Sequence, residues 1–186
     1  KNVFRIKPGF GVCVDQGIAA LGALNKAANS VAKSAVIVHE SGEFGTGTAK
    51  LLAGKLPSIG IEAKELIAHD NPTRNFDNIA LRIRSVAPDI VMMSNYQNEY
   101  VLLARSIHQH KVPKKAIYSV IGGGASNMKF VREFNAAAQG IMDCNHWIDP
   151  RKQRSQRLVS ALEAAKVDLT YEVLLNYSNV LLAIDA

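Results

Sequence analysis

Residues Ser34–Lys50 read SAVIVHESGEFGTGTAK: a short apolar run from Ala35 to His39, a polar glycine-bearing segment from Ser41 to Gly47, then a helical pattern. A run this short and rich in β-branched residues is what a strand buried on both faces of a parallel sheet requires. The same order returns twice. Ile90 to Met93 leads into Ser94–Asn98, and Ile117 to Ile121 leads into Gly122–Ser126. Parallel strands place their C-terminal loops on one edge of the sheet, and ligands of open α/β sheets bind there. Function is therefore expected on the edge where these three loops meet.

Working outward, Gly17–Ala32 is Ala- and Leu-rich with a helical stripe at Ile18, Leu21, Ala28 and Val31, and it precedes a strand at Ser34–His39. Thr46–Leu56 reads as a helix ended by Pro57 and Gly60, Ile61–Ala68 as a strand, and Asn71-Pro72 as a turn. Phe76, Ile79, Ala80, Ile83 and Val86 follow helical spacing over Asn75–Val86, and Pro88 closes that helix before the strand Ile90–Met93. Tyr100, Leu103, Ala104 and Ile107 make the next helical face, broken at Val112-Pro113. Ala116–Ile121 is a strand, Met128–Phe134 a short helix and Gly140–Trp147 the final strand. The alternation predicts an α/β fold: a three-layer, open, mainly parallel sheet with helices on both faces and right-handed crossovers. Two more helices, Arg154–Ala165 and Tyr171–Ile184, carry apolar positions such as Leu158, Leu162, Leu174 and Leu181 with no following strand to cover. They need a partner surface.

Composition excludes several function classes. With 186 residues, 48% hydrophobic and 20% charged, the chain is globular and large enough for a sizeable core. The excess of 22 Lys and Arg over 16 Asp and Glu is dispersed. Its densest stretch, Arg151, Lys152, Arg154 and Arg157, is interleaved with Gln and Ser rather than stacking aromatics, so it reads as a solvated helix face and no nucleic acid is expected as a partner. Cys13 and Cys144 are too few for a disulfide framework. No apolar stretch approaches the roughly 20 residues that span a bilayer, and Lys1–Pro8 has no signal-like apolar region.

Catalysis finds little support. Gly42 and Gly47 have the spacing of a phosphate loop, but Thr48 stands where the lysine should follow the second glycine. Gly45 and Gly47 begin a dinucleotide fingerprint that lacks its third glycine. His108 and His110 are too close on a helix to converge on one ligand and read as solvent-exposed, and no metal-binding or nucleophile-elbow spacing occurs. Cys144 sits in a predicted strand and reads as an inert thiol. His39 and Glu40 are adjacent strand residues facing opposite ways. No catalytic residue, metal or cofactor is expected. What remains is a binding edge: Phe44 and Gly45 in the first loop, Asn95 and Tyr96 in the second, and Gly122, Gly123 and Ser126, with Gly124, in the third. Aromatic walls, a hydroxyl and free backbone amides around one crevice suit a small solute, and amides at the first helix N-terminus could receive a carboxylate.

Those residues also carry a family likeness. Phe44-Gly45-Thr46-Gly47 after a Val/Ile strand, Asn75-Phe76-Asp77 opening a helix, Pro88-Asp89-Ile90-Val91 and the following Tyr96 occur in order, with Ala138-Gln139-Gly140-Ile141 beyond them. Phe4-Arg5 stands before the first helix and Tyr171–Ala186 forms the late helix. Together they resemble the type I periplasmic solute-binding proteins, the branched-chain amino-acid receptors of ABC transporters, most closely over the second lobe. The resemblance implies a non-catalytic receptor, periplasmic or extracellular, whose two lobes close on a small solute and present it to ABC permease subunits. The same lobe architecture also serves as the ligand-sensing core of receptors and transcription regulators, and a flavodoxin-like enzyme, which needs a phosphate or flavin cradle at the first loop, is the remaining and less favoured alternative. It implies that Phe44 and Tyr96 touch the solute. It also implies a division into a crossover segment and helix, 1–32, a ligand-binding second lobe, 33–149, and helices docking on a first lobe, 150–186, with homo-oligomers possible through those exposed helices. Weak or undetectable solute affinity for this chain alone follows from that reading. Two departures bear on the ligand: Gly122-Gly123-Gly124 offers no carboxylate for an ammonium group, and Phe44 replaces the commoner tyrosine. An aromatic or aliphatic carboxylate, or an amide, therefore stands beside an amino acid as the expected solute.

Overall fold

A computed structural model of the chain describes residues 7–185. Phe4-Arg5 lies outside the described residues. Five strands, β1 (Ser34–Glu40), β2 (Glu62–His69), β3 (Ile90–Ser94), β4 (Ala116–Val120) and β5 (Ile141–Cys144), form one sheet in the order β2-β1-β3-β4-β5. Every pairing is parallel. The α/β three-layer architecture expected from the sequence is the observed one.

The strands sort their side chains by the period of two. Val36 and Val38 of β1, with Val91 and Met93 of β3, face α3 (Asp77–Val86), α4 (Gln97–Gln109) and α5 (Met128–Phe134). Ala35 and Ile37, with Ile90, Met92, Tyr118 and Val120, face α1 (Phe10–Ala27) and α2 (Glu43–Lys55). Because β1, β3 and β4 are buried along their whole length, they read as continuous apolar runs rather than alternating ones. The remaining helices, α6 (Gln153–Ala164) and α7 (Tyr171–Asp185), lie after the sheet. α6 buries no residue, and Val180 and Ile184 of α7 are exposed.

Three elements differ most from expectation. α1 runs over Phe10–Ala27 rather than Gly17–Ala32. Its start is hidden behind Gly9 and Gly11, and its end is cut early by Asn25, whose side chain exchanges two 3.0 Å hydrogen bonds with the backbone of Ala32. α2 begins at Glu43 rather than Thr46, so Gly45 and Gly47 lie in a helix and not in a loop. β5 stops at Cys144 instead of reaching Trp147. Its neighbour β4 leaves the sheet at Ile121, where φ is +64°, and no ladder partner remains.

Candidate functional site

The chain passes from β1 outward to β2 and then returns across β1 to β3, so β1 and β3 are the adjacent strands from which connections leave in opposite directions. A crevice opens beyond the strand C-termini at such a switch point. Here it is a cleft of about 330 Å³ lined by Phe44, Asn95, Tyr96, Gly122 and Gly123, together with Lys7, Phe10 and His146. Five of the seven expected residues thus share one rim. Phe10, Phe44 and Tyr96 form its aromatic wall, with ring centroids 5.3 Å apart for the first pair and 5.6 Å for the second. Tyr96 is half exposed, which leaves ring surface for an apolar group.

Gly45 and Ser126 are placed otherwise. Gly45 is buried against the backbone of Glu40. Ser126 donates from its N–H to one Asp143 carboxylate oxygen at 2.8 Å and from its hydroxyl to the other at 2.6 Å. Burial raises the Asp143 carboxyl above the ordinary carboxylate range, and these two bonds oppose the rise. Asp143 lies directly beneath Gly123, where an added Cβ would stand 2.9 Å from its Oδ2. Gly122 and Gly123 have φ of +80° and +151°, so the loop takes a path that glycine permits and other residues resist.

Helix termini decide which backbone amides are left for a ligand. At α2, the buried Glu40 carboxylate accepts from Gly42 N–H and Gly45 N–H, both at 2.5 Å. Two of the amides expected to receive a solute carboxylate there, those of Gly42 and Gly45, are taken by the chain's own glutamate, which also removes Glu40 from any pairing with His39. At α5, Asn127 accepts from Lys129 and Phe130 N–H. α4 differs: its N-cap is Tyr96, which makes no side-chain capping bond, and its first residue, Gln97, borders the cleft. Its unsatisfied amides and positive dipole end open on the cleft.

Asn95 adds a second polar feature. His69 Nδ1 lies 2.7 Å from the Asp70 carbonyl, so this nitrogen carries the proton and Nε2 is free to accept. Nε2 receives the Asn95 side-chain N–H. That fixes the amide's orientation and leaves Asn95 Oδ1, in a residue only 5% exposed, without a partner. A buried carbonyl oxygen with no donor costs about 1–3 kcal/mol, and because this oxygen is shut off from solvent, a ligand donor reaches it only if the loop after β3 shifts. His146, on the far wall, is held below the ordinary histidine range by burial and then by Lys7, and faces the cleft as a neutral ring.

Sequence reasoning missed Lys7, Phe10 and His146. Pro8-Gly9 ahead of Phe10 was the available signal for a helix start that would have placed Phe10 at the edge. His110 is half-buried and pairs with Asp77 at 2.8 Å, whereas His108 is exposed as expected. A larger, open groove of about 690 Å³ runs between α6, α7 and Trp147 and adjoins the cleft through Lys7, His146 and Leu175. No helix among the described residues is long and apolar enough to cross a membrane.

A family model described as periplasmic binding protein matches residues 6–186. The chain belongs to the periplasmic binding protein family. As one of that family, it is similar to the Leu/Ile/Val-binding protein BraC3 of Rhizobium johnstonii, with 29% identity over 136 residues, 73% of this chain and 36% of that protein. Its fold is similar to that of an extracellular ligand-binding receptor from Rhodopseudomonas palustris, with a TM-score of 0.70 at 16% identity over 88% of this chain and 46% of the other. A leucine-binding protein, LivK, from Thermotoga maritima gives a TM-score of 0.67 at 17% identity, over 81% of this chain and 42% of that one. This family member therefore spans less than half the length of these relatives. They are binding proteins and receptors rather than enzymes.

Proposed function

We propose that the cleft at the C-terminal edge of the sheet is one wall of a solute receptor, and that its solute combines an apolar body, an N–H donor and a carboxylate or carbonyl acceptor. An α-amino acid with an aliphatic side chain, or its amide, has all three. The observation that carries this reading is the unpartnered Asn95 Oδ1 beside the unsatisfied N-terminus of α4. Once the loop after β3 shifts to uncover it, the oxygen takes the donor; the α4 amides take the acceptor, and the Phe10, Phe44 and Tyr96 wall takes the apolar body. An ammonium group can thus be recognised without the carboxylate that Gly122–Gly124 lacks. Relatives named for leucine, isoleucine and valine support the aliphatic choice. Service to an ABC permease in the periplasm or outside the cell, closure by a second wall and self-association through α6 and α7 belong to the same proposal.

A titration of the ¹⁵N-labelled chain with leucine, leucinamide and phenylacetate, followed by amide chemical shifts, tests it. Leucine is expected to bind in the millimolar range, because one wall excludes little water, with shifts concentrated at Asn95, Tyr96, Gln97, Gly122 and Gly123. Asn95→Ala should weaken leucine by about fivefold or more, the equivalent of about 1 kcal/mol. Tyr96→Ala, at a half-exposed position, should weaken all three compounds. Shifts confined to the α6–α7 groove, or no shifts with any compound, overturn the reading.

A further inference from the structure

The thiols of Cys13 and Cys144 stand outside the cleft, far apart in sequence and together in space. α1 rests on β4 at Gly17, where an added Cβ would stand 2.5 Å from a Val120 methyl group, and the Tyr118 hydroxyl donates to the Gly17 carbonyl at 2.8 Å. The absent side chain lets the helix approach the sheet closely at this point. Val120 is in register with Cys144 on the neighbouring strand, and Cys13 lies one turn before Gly17 on the same face of α1. Both cysteines consequently border a single cavity of about 230 Å³, with Ile121, Asn145 and His146 around it. Both are free and half-buried. Burial raises both thiols above their ordinary range, so each is held as a protonated thiol in the reduced chain.

We propose that Cys13 and Cys144 are a redox pair that closes into an intramolecular disulfide, joining α1 to the C-terminal end of β5. The oxidant is a small-molecule or protein disulfide. One cysteine thiolate attacks a sulfur of that disulfide, forming a mixed disulfide and releasing the first thiol. The second cysteine thiolate then displaces the remaining thiol and forms the Cys13–Cys144 bond. Two protein S–H bonds are exchanged for one S–S bond, and the two protons leave on the two thiols of the reduced oxidant. Such a link closes a loop over most of the chain, which constrains the unfolded state strongly. It also ties together the entry to α1, which carries Lys7 and Phe10, and the exit from β5, which carries His146, so it fixes one wall of the cleft.

The chain is equilibrated with excess oxidised over reduced glutathione, quenched with N-ethylmaleimide under denaturing conditions, and analysed by mass spectrometry after proteolysis. The proposal expects a monomer with neither thiol labelled, a peptide pair joining Cys13 to Cys144, and a higher urea midpoint that falls back when dithiothreitol is added. Cys144→Ser should leave Cys13 as a glutathione adduct. Full labelling of both thiols in the wild-type chain, or linkage found only between chains, overturns it, and neither result depends on a variant folding.

Discussion

Gly45→Ala lowers the unfolding free energy by about 3 kcal/mol, whereas Gly47→Ala, two residues later in the same helix, raises it by about 0.5–1 kcal/mol. An alanine gains about 1 kcal/mol over glycine in a helix interior, and that gain is available at both positions. At Gly47 nothing lies within 4 Å of the added Cβ, so the gain is kept. At Gly45 the Cβ would stand 2.3 Å from the Glu40 carbonyl oxygen and 2.9 Å from its backbone nitrogen. Those atoms belong to the interior strand β1 and cannot swing aside as a side chain end would. The helix must move, and the buried Glu40 carboxylate then loses its bond from Gly45 N–H. Overpacking costs about 1–3 kcal/mol and the weakened charge-assisted bond adds to it, which outweighs the helical gain. Urea unfolding followed by circular dichroism separates the two variants. Shifts of the same sign in both would show that close packing on Glu40 is not what requires glycine at 45.

That pair of glycines shows where the sequence was legible and where it was not. The runs Ala35–Val38 and Ile90–Met93 identify buried parallel strands because burial on both faces removes polar residues from the whole run. The edge that carries the cleft follows from parallel topology alone, and Phe44 and Tyr96 meet there because each stands at the start of the helix that follows one of two adjacent strands. Gly45 and Gly47 look alike in the sequence, since glycine gives no hint of what it packs against. Glu40 looked like a strand terminus, and only the turn through Ser41 and Gly42 shows that its carboxylate folds forward onto α2. Asn95 follows β3 and borders the cleft, yet its unpartnered oxygen depends on His69 at the end of β2, two strands away in the sheet order. Strand order across a sheet is a long-range property that local periodicity does not encode.

Asp89→Asn lowers stability by about 1–2 kcal/mol at neutral pH, and the difference from wild type vanishes near pH 2. Asp89 precedes β3 at the sheet edge opposite the cleft. Its Oδ2 accepts from Lys33 N–H at 2.7 Å, Ser34 N–H at 3.1 Å and the Ser34 hydroxyl at 3.2 Å, while Lys115 pairs with Oδ1 at 2.7 Å. One carboxylate therefore fastens the starts of β1, β3 and β4. The Lys115 ammonium first, and the Lys33 N–H next, hold its carboxyl down from 3.8 to about 2, against an opposing effect of burial. In the unfolded chain the group takes up its proton near 3.8, so between that value and about 2 the unfolded state binds more protons than the folded one. Stability from this group is complete above the unfolded value and is lost as pH falls through the folded value. The full shift would correspond to about 2.5 kcal/mol, and solvent at this partly exposed ion pair reduces it to about 1–2 kcal/mol. Asparagine keeps an oxygen for the Lys33 and Ser34 amides but turns an N–H₂ donor toward the Lys115 ammonium, so it gives up both the charge and that hydrogen bond, and the gap between the two stability curves reports the carboxylate with its Lys115 partner. Urea midpoints of both proteins from pH 7 to pH 2 should converge across the window below pH 4. A gap that stays constant down to pH 2 would assign the loss to packing rather than to charge.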